Sequence, residues 1–240
     1  MLGLGLGLNK SNRSSGGFNP SSFTLHFWDS KNLTDIGSTI TVPDTGTIGG
    51  LDMTNPDASS KPTVVSDYLQ FVTDDVIRAL TANFRGSDSS GEFISHVRLD
   101  SGIAIFDLAT WDSSSITGYI NQSSISSNTY RSIHNVTAVR SQRGSTNISS
   151  GWFTVTSGCT GSAYYIIISG NNETLTALNG ANDGNQWLND QTTNDSIAIG
   201  GRLSSSPAYA NISWKCGGYA AFSSLAESIE LNQQIHNYYT

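Results

Sequence analysis

Between Tyr164 and Thr240 the chain alternates short strand signals with turn signals and closes on one amphipathic segment, an order that few folds accommodate. Residues 164–168, Tyr-Tyr-Ile-Ile-Ile, meet Ser169-Gly170-Asn171-Asn172, residue types that favour tight turns. Glu173-Thr174-Leu175-Thr176-Ala177-Leu178 then alternates with the period of a half-buried strand. A polar loop leads to Ser196-Ile197-Ala198-Ile199-Gly200-Gly201-Arg202, and residues 218–222 read as the last strand. Ser228 is placed to cap a closing helix, Glu230 suits its positive end, and Leu231, Ile235 and Tyr238 fall at i, i+4 and i+7.

The same grammar runs upstream. Phe23, Leu25 and Phe27 alternate with Thr24, His26 and Trp28, and residues 69–72, 93–99, 103–108, 119–120, 135–140 and 152–155 read as further strands. One interior helix is predicted over residues 76–84, with Thr73 as its cap and Asp74 and Asp75 in its first turn. Charged residues make up only 13% of the 240, against about a quarter in an ordinary domain, so Ser, Thr, Asn and Gly must supply the polar surface. That composition suits many short strands. The predicted fold is all-β, an antiparallel sandwich of two packed sheets with a short C-terminal helix.

Residues 1–17 stand apart as an extended N-terminal arm and linker, leaving 18–240 as the domain. Leu2, Leu4, Leu6 and Leu8 alternate with Gly3, Gly5 and Gly7, so one strand face is apolar and the other bare. Such a strand needs a neighbouring sheet edge, either in its own domain or in another subunit as an assembly arm. It lacks a basic n-region and a long apolar stretch, so we expect no signal peptide. The net charge of −7 argues against a nucleic-acid partner, and no run approaches the roughly 18 apolar residues of a membrane span. Cys159 and Cys216 are either two free thiols or a pair across the sandwich.

Catalytic constellations are missing from the sequence. Glu92, Glu173, Glu227 and Glu230 are scattered, with no run that would set two carboxylates across a glycosidic bond. No serine sits in a nucleophile elbow. His96 is expected to be a solvated strand histidine, and Gly200-Gly201 and Gly217-Gly218 to be turn or bulge glycines. An exposed aromatic platform for a sugar is predicted at Trp187, with Asn185 and Asn189 beside it; Trp28, Trp152 and Trp214 are expected in the core.

The order of these segments resembles the concanavalin A-like, laminin G-type jelly rolls of phage and prophage virion structural proteins. The resemblance is carried by Trp28-Asp29-Ser30-Lys31-Asn32-Leu33, Lys61-Pro62, Tyr68-Leu69-Gln70-Phe71, the strand–turn–strand of residues 166–178, Ile199-Gly200-Gly201, and the closing strand and helix. Two positions depart from it: Tyr219-Ala220-Ala221 replaces an acidic residue, and Phe222-Ser223-Ser224-Leu225 replaces a turn motif. The resemblance implies a jelly roll and a non-enzymatic virion protein, a capsid decoration, head-fibre or tail component, made in the host cytoplasm and attached through the N-terminal arm. Its partners would be other virion proteins and further copies of itself. The alternative is a carbohydrate-binding module or adhesin that contacts host glycans. No cofactor is expected; the resemblance leaves a Ca2+ ion at a loop rim as the alternative. Asp44, Asp52 and Asp57, or Asn182, Asp183, Asn185, Asn189 and Asp190, could supply oxygen ligands, but turn capping is the expected role of each. Gln234-Ile235-His236 resembles a strand motif of alginate lyases, yet it lies in the predicted closing helix.

Overall fold

The computed structural model describes residues 17–100, 105–111, 118–124, 129–135, 139–144, 151–169, 175–176, 187–190, 193–202 and 208–240. Its strands run in chain order as β1 (His26–Asp29), β2 (Thr34–Ile36), β3 (Thr39–Val42), β4 (Met53–Thr54), β5 (Thr63–Val65), β6 (Tyr68–Phe71), β7 (Ile77–Leu80), β8 (Gly91–Leu99), β9 (Ile105–Trp111) and β10 (Gly118–Ser124). They continue as β11 (Thr129–Asn135), β12 (Val139–Gly144), β13 (Trp152–Cys159), β14 (Tyr164–Ser169), β15 (Leu175–Thr176), β16 (Ser196–Ile199), β17 (Gly201–Arg202), β18 (Ala208–Tyr209) and β19 (Ile212–Ala220), followed by helix α1 (Leu225–Tyr239). Among the described residues, one antiparallel sheet is ordered β15-β14-β13-β8-β19-β6-β5 with β1 beside β19. A second is ordered β12-β11-β10-β9-β16-β7-β4-β3-β2, and a small third sheet pairs β17 with β18. The predicted all-β sandwich with a terminal helix is the fold observed.

Period two explains why the central strands are buried on both sides. In β8, Phe93, Val97 and Leu99 enter the core between the sheets, while Ile94 joins Phe27, Cys216 and Ala220 beneath α1. The helix answers with Leu231, Ile235 and Tyr239. The described residues therefore form three layers: two large sheets and helix α1.

Strand β19 changes neighbours along its length. Residues 212–214 pair with β6, and residues 216–219 pair with β1, across a register shift between Trp214 and Cys216. Gly218 is needed for that second pairing, because a Cβ there would stand 2.7 Å from the His26 carbonyl oxygen. Gly217 and Gly218 are thus regular strand residues, not bulge glycines. Gly200 is a turn glycine as expected: its φ is +86°, and a side chain would strike the Phe71 ring.

Four local expectations are corrected. Residues 77–80 form strand β7 instead of the start of a helix. Asp74 takes a positive φ of 74°, and Ile77 pairs with Ile199 of β16. Helix α1 begins at Leu225 and is capped by Ser224, whose Oγ accepts from the Glu227 amide at 3.3 Å, so Ser228 lies inside it. The strand expected over 135–140 divides between β11 and β12. The strand expected at 119–120 is longer than that, running from Gly118 to Ser124 as β10. Leu2, Leu4, Leu6 and Leu8 lie outside the described residues, as do Asn182, Asp183 and Asn185.

Candidate functional site

A cleft of about 440 Å³ opens where three distant segments converge: residues 22–25 before β1, the end of β19, and the first turns of α1. The 3-10 turn Pro20–Ser22 positions the first wall, with Asn19 capping it and the Phe23 amide bonded to the Pro20 carbonyl at 3.0 Å. Leu25 then hydrogen-bonds the Tyr219 carbonyl at 2.8 Å, which fixes this wall to β19. Ala220 and Ala221 are small enough to leave the space open. Ser223, Ser224, Glu227 and Ser228 form the opposite wall, and Glu92 of β8 lies at the bottom.

Glu92 is 2% exposed. The Tyr165 hydroxyl donates a short hydrogen bond to its Oε2 and lies 3.2 Å from Ser228 Oγ. Burial pushes the Glu92 carboxyl up to about 7, although the hydrogen bonds from Ser228 and Tyr165 pull the other way. Phe23, 40% exposed, presents a ring at the mouth. That ring stacks on Phe18 at 5.6 Å between centroids, and Phe18 meets Tyr238 edge-on at 5.9 Å. An aromatic strip therefore leads away from the cleft to the exposed Tyr238, over which Lys31 Nζ sits at 4.8 Å. Among the described residues lining the cleft there is no lysine or arginine. Such a site can stack an apolar ring face and exchange hydrogen bonds with a hydroxyl-rich ligand.

A second polar cluster lies under the later turns of α1 and does structural work. His96, expected to be solvated, is fully buried and stacks on Trp152 at 5.3 Å, with His236 at 5.8 Å and Tyr239 at 5.6 Å. Its face of β8 is covered by α1, an arrangement that local sequence does not reveal. Burial pushes its imidazole down to about 3, helped by the charges of His236, Lys215 and Lys31. Its Nδ1 lies 2.9 Å from Thr154 Oγ1. Tyr239 donates to Asp29 at 2.6 Å, tying the helix end to β1. His236, the third letter of Gln234-Ile235-His236, is buried within this packing.

Trp187 does not present its ring to solvent. It is fully buried against Phe93, and its indole N–H donates to the Tyr219 hydroxyl at 3.0 Å. That hydroxyl donates in turn to Asp88, which holds Arg85 through two hydrogen bonds. The 3-10 turn Leu188–Asp190 follows Trp187 directly. Asn189 accepts the Trp187 amide at 3.0 Å and donates its own amide to the Asp88 carbonyl, so it stabilises this turn.

Asp44 is likewise committed internally. Its carboxylate accepts from the amides of Phe27, Gly46 and Leu51 and faces His26 Nδ1 at 2.7 Å. Burial raises its pKa, but these bonds outweigh that and hold it below the usual carboxylate range. Asp52 accepts the Asp44 amide, and Asp57 caps the turn Ala58–Ser60. Among the described residues no three acidic, histidine or cysteine side chains gather as a metal cluster. Cys159 and Cys216 are both buried, and they are not joined in a disulfide. No helix among the described residues is long and apolar enough to cross a membrane.

No protein-family model matches the chain, and neither does any curated protein. Solved structures do. Trypanosoma rangeli sialidase with 2,3-difluorosialic acid, a covalent intermediate, is 12% identical at a TM-score of 0.57, over 88% of this chain and 33% of that one. The binding domain of botulinum neurotoxin DC in complex with SialylT is 12% identical at 0.55, over 90% and 52%. Botulinum neurotoxin type C, whose cell entry depends on two ganglioside molecules, is 14% identical at 0.57, over 90% and 52%. This chain thus spans a third of the sialidase and about half of each neurotoxin chain. The likeness is one of fold, a β-sandwich.

Proposed function

We propose that this chain is a non-enzymatic carbohydrate-binding module that holds a glycan in the cleft beside the first turn of α1. The observation that carries this reading is the make-up of the cleft: an exposed aromatic ring at the mouth, hydroxyls on the walls and a carboxyl at the bottom. A sugar offers an apolar C–H face and a rim of hydroxyls, which match that arrangement. The volume falls in the usual range for small-ligand sites, about 300–1,000 Å³. Neighbours of the same fold that are named for sialosides and gangliosides support the assignment.

A glycan array tests it. The wild-type chain binds at least one class of oligosaccharide, and Phe23→Ala weakens that binding about tenfold or more with an unchanged circular dichroism spectrum. Equal binding by Phe23→Ala removes the cleft as the site.

Display on a virion is a second reading. It rests on the alternation of Leu2, Leu4, Leu6 and Leu8 with glycine and on the resemblance to phage proteins. Deletion of residues 2–8 would then abolish co-sedimentation with virions while leaving glycan binding intact.

A further inference from the structure

We infer that the cleft selects saccharides that carry no acidic group and discriminates against sialylated, uronate and sulfated glycans. The inference rests on the reading of this cleft as a glycan site, and it departs from the sialosides and gangliosides of the structural neighbours.

The argument is electrostatic. Among the described residues two carboxyl groups, Glu92 and Glu227, line the cleft, and no lysine or arginine offsets them there. One feature favours an anion, the N-terminus of α1, whose aligned peptides amount to about half a positive charge. Glu227 stands in that same first turn with a full negative charge, so the local sum is negative. One of the donors a helix start would offer to an anion is also occupied: the Glu227 amide is taken by Ser224 Oγ at 3.3 Å. Lys31 is the cation at the far end of the aromatic strip. It lies over Tyr238 and Tyr239 and is not part of the cleft wall. The net charge of −7 adds a long-range field of the same sign. A neutral sugar escapes this repulsion and gains the Glu227 carboxylate as an acceptor for its hydroxyls, since a carboxylate oxygen receives hydrogen bonds readily.

The test is an array of matched pairs, each a neutral oligosaccharide and its sialylated counterpart, read at low salt where exposed charges are least screened. Wild-type protein binds the neutral member about tenfold or more tightly than the sialylated one. Glu227→Lys narrows or reverses that gap, with thermal unfolding showing that the variant is folded. Equal or tighter binding of sialylated members by the wild type overturns the inference while leaving the glycan-module reading standing. An unchanged gap in Glu227→Lys overturns its electrostatic basis. Binding of no glycan at all by the wild type removes the module reading itself, and the selectivity with it.

Discussion

Glu92 and His96 share the α1-facing side of β8, and burial moves them in opposite directions, the carboxyl up to about 7 and the imidazole down to about 3. For Glu92 the folded value exceeds the ordinary 4.5, so its contribution to stability is full below 4.5 and is lost as pH rises through 7. Glu92→Gln cannot ionise. It should be more stable than wild type at pH 8 by about 3 kcal/mol, measured by urea unfolding, and no gain would mean the carboxylate is better solvated than its burial implies. For His96 the folded value lies below the ordinary 6.5, so its contribution is present above 6.5 and is lost as pH falls towards 3. Between pH 4.5 and 6.5 the two act together with opposite slopes of about 1.4 kcal/mol per pH unit, and largely cancel. Single variants separate them. Glu92→Gln should gain stability as pH rises through this window, and His96→Leu should lose it; parallel profiles for both variants would refute the opposition. Neither group's state was legible in the sequence. A glutamate and a histidine on an exposed strand would titrate normally, and only the helix laid over β8 changes them.

Helix α1 shows at the scale of an element what sequence periodicity reads and what it misses. Its buried stripe is Ser228, Leu231, Asn232, Ile235, His236 and Tyr239, a regular i, i+3, i+4 pattern of which half is polar. A search for apolar residues finds Leu231 and Ile235, then takes the exposed Tyr238 in place of the buried Tyr239. The polar members are held by bonds to distant strands: Asn232 Nδ2 donates to Thr156 Oγ1 at 2.9 Å and to the Thr154 carbonyl at 3.3 Å. Asn232→Ala should cost about 2–3 kcal/mol of stability in urea unfolding, because it leaves buried acceptors unpaired. Ser224→Ala should cost about 1 kcal/mol by removing the cap, and an equal cost from Ser228→Ala alone would restore Ser228 as the start of the helix. Strand β7 failed for the opposite reason. Ile77 and Ala79 are buried while Arg78 is half-buried and Leu80 is 65% exposed, so the period of two was present. The acidic pair before it imitated a helix start, yet Asp74 has a positive φ and Asp75 closes a turn by accepting the Val72 amide at 2.9 Å.

At the scale of the whole molecule, the two-sheet core was predictable because strands such as β8, β13 and β14 announce themselves locally, whereas the cleft was not. The cleft needs residues 22–25, Glu92, Ala220 and the start of α1 in one place, and no short segment holds them all. The same closure decides how the two thiols behave. Cys159 belongs to the core between the sheets, and Cys216 to the cluster between β19 and α1. Burial, then the charge of Asp29, pushes the Cys216 thiol well above its ordinary range, so both access and ionisation oppose its reaction. In native protein at pH 8 neither cysteine should react with a disulfide reagent on the minute timescale, and both should react in denaturant. Truncation that removes residues 225–240 takes away Leu231, Ile235 and Tyr239 and opens the outer face of the first sheet. The inter-sheet core is much the larger of the two clusters and does not use the helix. The truncated chain should therefore keep Cys159 protected while Cys216 reacts. Reaction of both thiols in the truncated chain would show that α1 is required for the sandwich itself, and reaction of neither would mean that β1 and β19 bury Cys216 without the helix.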